Sequence, residues 1–149
     1  MILSRRSTLL GLATIALPLP LAATPAEVSE SIARLFGDRP LTEGPVVLDL
    51  PTLAETGNSV PLTARVESPM TAGDRILRLA LFAEQNPRPL ICEAHFGPAA
   101  AEARLTTNIR LAATQAVVCV AERSDGVLVS VRRDVRVVVG ACTTLPGRY

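Results

Sequence analysis

Three cysteines and one histidine are the residues in this chain whose chemistry is most specific. Cys142 lies in the terminal stretch VRVVVGACTTLPGRY, beyond Gly140, where a strand-like run stops. A thiol on a short tail has no core to protect it, and an exposed thiol can ionise and attack or be attacked. Cys92 shares an alternating face with Leu90, Ala94 and Phe96, and Cys119 shares one with Val117 and Ala121. Both are expected to point inward from different strands. In an oxidising compartment such a pair can form a disulfide, with Cys142 as the odd thiol. The alternative is two buried, unpaired cysteines that pack as small hydrophobes. His95 has the opposite parity to Cys92 and is expected on the strand surface. A dyad of His95 with Cys142 would require the tail to fold back onto that strand. One histidine cannot build a Cys–His–His metal cluster, and CxxC, GxSxG and P-loop patterns are missing. The sequence thus points to no metal and no cofactor.

The elements that hold these residues follow an address. MILSRRSTLLGLATIALPLPLAATPA carries Arg5-Arg6, an apolar stretch from Leu9 to Ala23 broken by Pro18 and Pro20, and then small residues. This pattern predicts an export signal over residues 1–26, of twin-arginine type, with an ordinary secretory leader as the alternative. Cleavage after Ala23 or after Ala26 fits equally well. Thr24-Pro25-Ala26-Glu27 has the form of a capping box with Pro at the first helical position, which the first cut would keep and the second remove. The mature protein is expected in the periplasm, free of the membrane once the signal is removed.

Over 27–36, Val28, Ile32, Leu35 and Phe36 fall on one helical face, and Gly37 stops the helix. The period then changes to two. Val60, Leu62, Ala64 and Val66 alternate with Pro61, Thr63, Arg65 and Glu67. Further runs cover 46–50, 75–82, 90–96, 105–113, 116–122, 127–131 and 135–139. Gly57-Asn58, Asn86-Pro87, Gly97-Pro98 and Asp125-Gly126 supply turns. This pattern predicts an all-β, immunoglobulin-like sandwich of seven to eight strands preceded by one short α-helix, over residues 27–139. The strands at 76–82 and 117–121 are apolar on both faces. Either the helix or a second chain must cover the extra face.

Apolar residues make up 48% and charged residues 19% of the 149, which suits one globular domain. With 3% aromatics and no Trp, the core must be aliphatic. Every basic residue is Arg. Without Arg5 and Arg6, 13 Arg face 14 acids, and no basic face or stripe suggests nucleic acid.

Four stretches in order, LDLPTLAETGNSVPLTARVESPM, LFAEQNPRPLICEAHFGP, TTNIRLAATQAVVCVAERSDG and VRVVVGAC, resemble SoxY, the sulfur-carrier subunit of the periplasmic thiosulfate-oxidising system. The resemblance implies a sandwich that pairs with a second small sandwich, SoxZ. It also implies a cysteine near the C-terminus that holds sulfur compounds covalently and presents them to a haem enzyme, a hydrolase and a sulfur dehydrogenase. The matching position is Cys142, on an arm at 140–149 whose flexibility would come from Gly140 and Ala141. The family's arm usually places glycines on both sides of the cysteine. Here the arm reads Gly140-Ala141-Cys142-Thr143-Thr144, and two β-branched residues stiffen it. From Gly140 to the thiol-bearing residue is roughly 7 Å when extended, so partners must dock close to the end of the sandwich.

Three functions follow. The first is a covalent sulfur carrier that is not itself an enzyme. The second is a SoxY-like binding or assembly module in another pathway, with Cys142 idle. The third is a thiol enzyme, which would need a base or anion site near the thiol, where the tail offers only Arg148.

Overall fold

The computed structural model describes residues 24–141. The leader through Ala23, and Cys142 with the rest of the tail, lie outside the described residues, as does any dyad of Cys142 with His95. Helix α1 spans Pro25–Phe36. Thr24 caps it: the Thr24 hydroxyl accepts from Glu27 N, and the Glu27 carboxylate accepts from Thr24 N at 2.6 Å, which is the expected capping box. Gly37 ends the helix at φ 80°, a conformation that favours glycine, and donates its N–H to Ala33 O.

Nine strands follow: β1 Leu41–Glu43, β2 Val46–Asp49, β3 Leu53–Thr56, β4 Val60–Val66, β5 Ile76–Ala83, β6 Leu90–His95, β7 Ala103–Ile109, β8 Gln115–Arg123 and β9 Leu128–Val139. One sheet runs β1-β9-β8-β5-β6, with β3 also on β9, and the second runs β2-β4-β7. The expected all-β sandwich with one N-terminal helix is therefore correct. The strand count is one higher than predicted. β1 and β3 are short and run parallel to β9. β1 has no buried residue, so no apolar alternation announces it. The runs at 127–131 and 135–139 form a single strand, because Arg132, Arg133 and Asp134 continue the ladder with Val118, Val117 and Ala116.

Between the sheets, Leu79, Leu81, Val117, Cys119, Ala121, Val135 and Val137 meet Leu48, Val60, Leu62, Ala64 and Ile109. The opposite face of the larger sheet offers Ala80, Phe82, Val120 and Leu128, which Val28, Ile32 and Phe36 of α1 cover. Strands apolar on both faces thus belong to the middle of three layers. The helix answers the question left open by the sequence, and the two-faced pattern gives no argument for a second chain. An ionic clasp fixes the helix's C-terminal end. Arg39 donates to Glu122 at 2.6 Å and to Phe36 O at 2.7 Å, while Arg78 bonds Glu122 and Leu35 O and stacks 4.4 Å from the Phe36 ring.

The proposed Cys92–Cys119 bridge is corrected. Both residues pair with Leu81 of β5, which runs between them. They are two strand spacings apart, about 9.5 Å between Cα atoms, beyond what a disulfide spans. Both thiols are free. The alternating face assigned to Leu90 and Cys92 is also interrupted. A bulge pairs Leu90 with Phe82 on the helix side, and Leu90 is exposed.

Candidate functional site: the root of the C-terminal arm

Three backbone segments converge where β9 ends. Gly57, just after β3, donates its N–H to Val139 O at 2.7 Å, and its carbonyl accepts from Leu111 N at 2.9 Å. Leu111 O then accepts from Ala141 N at 2.9 Å. Gly57 and Gly140 make this approach possible. A Cβ on Gly57 would overlap Leu111 O, and one on Gly140 would overlap Ala112 O. Neither glycine needs a positive φ here; each is required because another backbone occupies the space a side chain would fill. Ala141 is 7% exposed, so its methyl is packed.

This corrects the assignment of Gly140 and Ala141 as the flexible part of the arm. Both are fixed to the sandwich, and Cys142 follows directly on the anchored Ala141. The folded unit also extends past both sequence-based boundaries, from the cap at Thr24 to Ala141. Ala141 stands directly before Cys142, and packing accommodates its methyl.

A buried amide cluster holds the receiving loop, residues 110–113, in place. Asn86 Nδ2 donates to Arg110 O, and Asn86 Oδ1 accepts from Ala112 N, both at 2.9 Å. Gln115 Nε2 donates to Asn86 Oδ1 at 3.0 Å and to Ala113 O at 3.2 Å, and its Oε1 accepts from Gln85 N at 2.7 Å. Asn86 and Gln115 are the only buried polar side chains among the described residues. Thr114 adds a two-way link, its hydroxyl accepting from Val137 N at 3.0 Å and donating to Val137 O at 3.2 Å. Sequence reasoning missed this support. It read Asn86 only as a turn residue, and Gln115 has no signal beyond being polar at a strand start. A cleft lined by Gln85, Gln115 and Val135 contains Arg132, whose guanidinium is already held by Glu84 at 3.0 Å twice and by Asp134.

The two sheet cysteines are poorly suited to chemistry. Burial pushes the Cys92 thiol up. Burial, with Cys92 nearby, pushes Cys119 to about 12. His95 is exposed as expected, at the far end of β6, with Nε2 2.7 Å from Glu93 Oε1. Its strand register leads through Arg78 and Glu122 to Leu128, the start of β9, whereas the arm leaves from the other end. Among the described residues no group of three His, Cys, Asp or Glu side chains is placed to hold a metal ion.

A model of the family described as sulfur oxidation protein SoxY matches residues 32–142. The chain belongs to the SoxY family. It is similar to the solved structure of the sulfur carrier protein SoxY from Chlorobium limicola f thiosulfatophilum. The two are 25% identical over 74% of this chain and 91% of that one, with a TM-score of 0.65. Two superoxide reductases share the fold. The neelaredoxin from Ignicoccus hospitalis is 18% identical over 78% of this chain and 95% of its own, with a TM-score of 0.57. A putative superoxide reductase from Thermotoga maritima is 14% identical over 66% and 93%, with a TM-score of 0.58. At those identities the likeness is one of architecture alone. No curated protein sequence matches the chain significantly. The SoxY match runs through the anchored root as far as Cys142.

Proposed function

We propose that this chain is a periplasmic sulfur carrier, not an enzyme, and that Cys142 carries the sulfur. The observation behind this reading is the anchored root. Ala141, the last of the described residues, is packed, and the next residue in the sequence is Cys142, the one cysteine that follows β9. A substrate-bearing thiol must be outside the core yet held at a fixed place, so that separate enzymes can find it. Rigid presentation lowers the ordering cost of each encounter. Val138 and Val139, 65% and 60% exposed, surround the exit with apolar surface that a partner would cover.

Loading joins the Cys142 thiolate to the outer sulfur of thiosulfate. The new sulfur–sulfur bond releases two electrons, which the haem enzyme accepts, and the thiol proton goes to water. A hydrolase then cleaves the terminal sulfonate as sulfate, and a sulfur dehydrogenase oxidises the sulfur that remains. A SoxZ-like sandwich is the structural partner. No cofactor is required on this chain, because the intermediates are bound covalently to Cys142.

Intact-mass analysis of protein from thiosulfate-oxidising cells tests the reading. Whole-sulfur or sulfonate increments are expected on the peptide containing Cys142, removable by reductant and missing from Cys142→Ser. A thiol that is always bare, or a Ser variant that sustains full thiosulfate oxidation, would refute it and favour an assembly module with an idle cysteine.

A further inference from the structure

The turn between β5 and β6 and the loop after β7 meet at the end of the sandwich from which the arm leaves. Asn86 joins them: its Nδ2 donates to Arg110 O and its Oδ1 accepts from Ala112 N, both at 2.9 Å. Between the two segments lies a cleft of about 310 Å³. Leu90, Ile91 and Ile109 give it apolar surface, and Arg88, Arg110 and Asn108 bring its polar side chains. No Asp or Glu lines the cleft, and neither arginine forms an ion pair among the described residues. Both arginines are held through their backbones. Arg88 stands between Pro87 and Pro89, which restricts it to extended backbone, and Pro89 O accepts from Ala83 N at 2.8 Å. Arg110 is fixed by the Asn86 bond. Two guanidiniums brought to one cleft repel each other, and no carboxylate on its walls offsets that, whereas a bound anion would. Arg88 also borders the groove along α1, but the second arginine there, Arg34, already has Glu30 at 2.7 Å.

We propose that the Arg88–Arg110 cleft is a non-covalent binding site for a sulfur oxoanion, the sulfonate-type group that thiosulfate and its cysteine adduct share. Each guanidinium can donate paired N–H bonds to the oxygens of such a group, and Asn108 adds a neutral amide. The site lies beside the arm. Arg110 precedes Leu111, whose carbonyl accepts from Ala141 N, so the Cα atoms of Arg110 and Ala141 are within roughly 10 Å of each other. The choice of a sulfur oxoanion rests on the carrier reading, while the site itself is built wholly from residues of the sandwich.

Amide NMR of Cys142→Ser protein, titrated with sodium thiosulfate at constant ionic strength, tests the site without covalent loading. Arg88, Leu90 and Arg110 should shift saturably. Replacing Arg88 and Arg110 together with Gln should weaken binding about 10-fold or more, and acetate should bind about 10-fold more weakly than the doubly charged thiosulfate. Arg104→Gln removes the same charge at the opposite end of β7 and should leave the affinity unchanged. Shifts that do not saturate, that survive in the double variant, or that weaken equally in Arg104→Gln would overturn the proposal, and equal binding of acetate would overturn the choice of anion. Tetrathionate then identifies the source. The Cys142 thiolate attacks its central sulfur–sulfur bond, keeps one half as a thiosulfonate disulfide and releases the other as thiosulfate. With that thiosulfate removed, the same shifts show that the cleft holds the cargo of the arm, and unshifted signals show that it takes the free anion. A Cys142 that stays bare in cells would remove the carrier reading and leave the titration standing, whereas a loaded carrier without saturable shifts would remove only the cleft.

Discussion

Replacing Gly140 with Ala tests whether the arm's root is anchored. A Cβ there would overlap Ala112 O and sit 2.9 Å from Ala112 C, both backbone atoms that the Asn86 cluster holds in place. The loop cannot retreat without breaking that cluster, so relief comes from the other side. Residues 140–141 should lift away from the sandwich. Three terms are then lost or gained. The bond from Ala141 N to Leu111 O breaks, at about 0.5–1.5 kcal/mol. The buried Ala141 methyl is exposed, at about 0.8 kcal/mol. Against these, lower chain entropy in the unfolded state returns about 0.4–1 kcal/mol. The net expectation is a loss of about 1 kcal/mol, read by urea unfolding of the protein. The larger effect should be local. Amide exchange at Ala141 should accelerate toward the free-chain rate, and Cys142 should react faster with a bulky maleimide, while protection in β8 is unchanged. Wild-type exchange at Ala141 in Gly140→Ala would refute the anchoring argument. A loss above about 3 kcal/mol would show that the loop, not the arm, gives way, and would refute the claim that the Asn86 cluster is the stiffer side.

Asn86→Ala should cost about 2–3 kcal/mol, because Ala112 N and one Gln115 donor lose their acceptor in a buried setting, and should also raise exchange at Ala141; unchanged stability in urea would contradict this. Glu122 tests the clasp at the helix end. Burial raises its pKa, but hydrogen bonds and charge from Arg39 and Arg78 outweigh that and hold it below its usual 4.5. Its contribution is therefore fully present above the unfolded value and is lost as pH falls below about 4.5 through the lower folded value. Glu122→Gln should flatten that acid limb and cost about 2 kcal/mol at pH 7, measured by chemical unfolding from pH 3 to 7. The Cys119 thiol is pushed the other way, from 9.0 to about 12, so its neutral form favours folding below pH 9 and stability should decline as pH rises from 9 towards 12. Cys119→Ala should weaken that alkaline decline, and in the native protein at pH 8 neither Cys119 nor Cys92 should alkylate at the rate of Cys142.

The periodicities set the layers in advance. The spacing of Val28, Ile32 and Phe36 defines a helix with one apolar face, and the alternation from Val60 to Val66 defines a strand with one wet face, because both patterns are fixed by local backbone geometry. The capping box at Thr24 and Glu27 was legible for the same reason, as all its bonds span three residues. Cys142 stood out through its position beyond the last strand. What the sequence could not determine depends on which strands become neighbours. The inward parity of Cys92 and Cys119 was compatible with a bridge until strand order placed Leu81 between them. The apolar outer face of β5 and β8 was compatible with a partner chain until α1 was seen to cover it. Gly140 next to a cysteine resembled a hinge, and only the meeting of β3, the 110–113 loop and β9 made it a point of close backbone contact. Asn86, Leu111 and Ala141 are far apart in the chain, and their bonds form only after the sheets have closed. No local pattern records such contacts, because their free energy belongs to the packed state and not to any one segment.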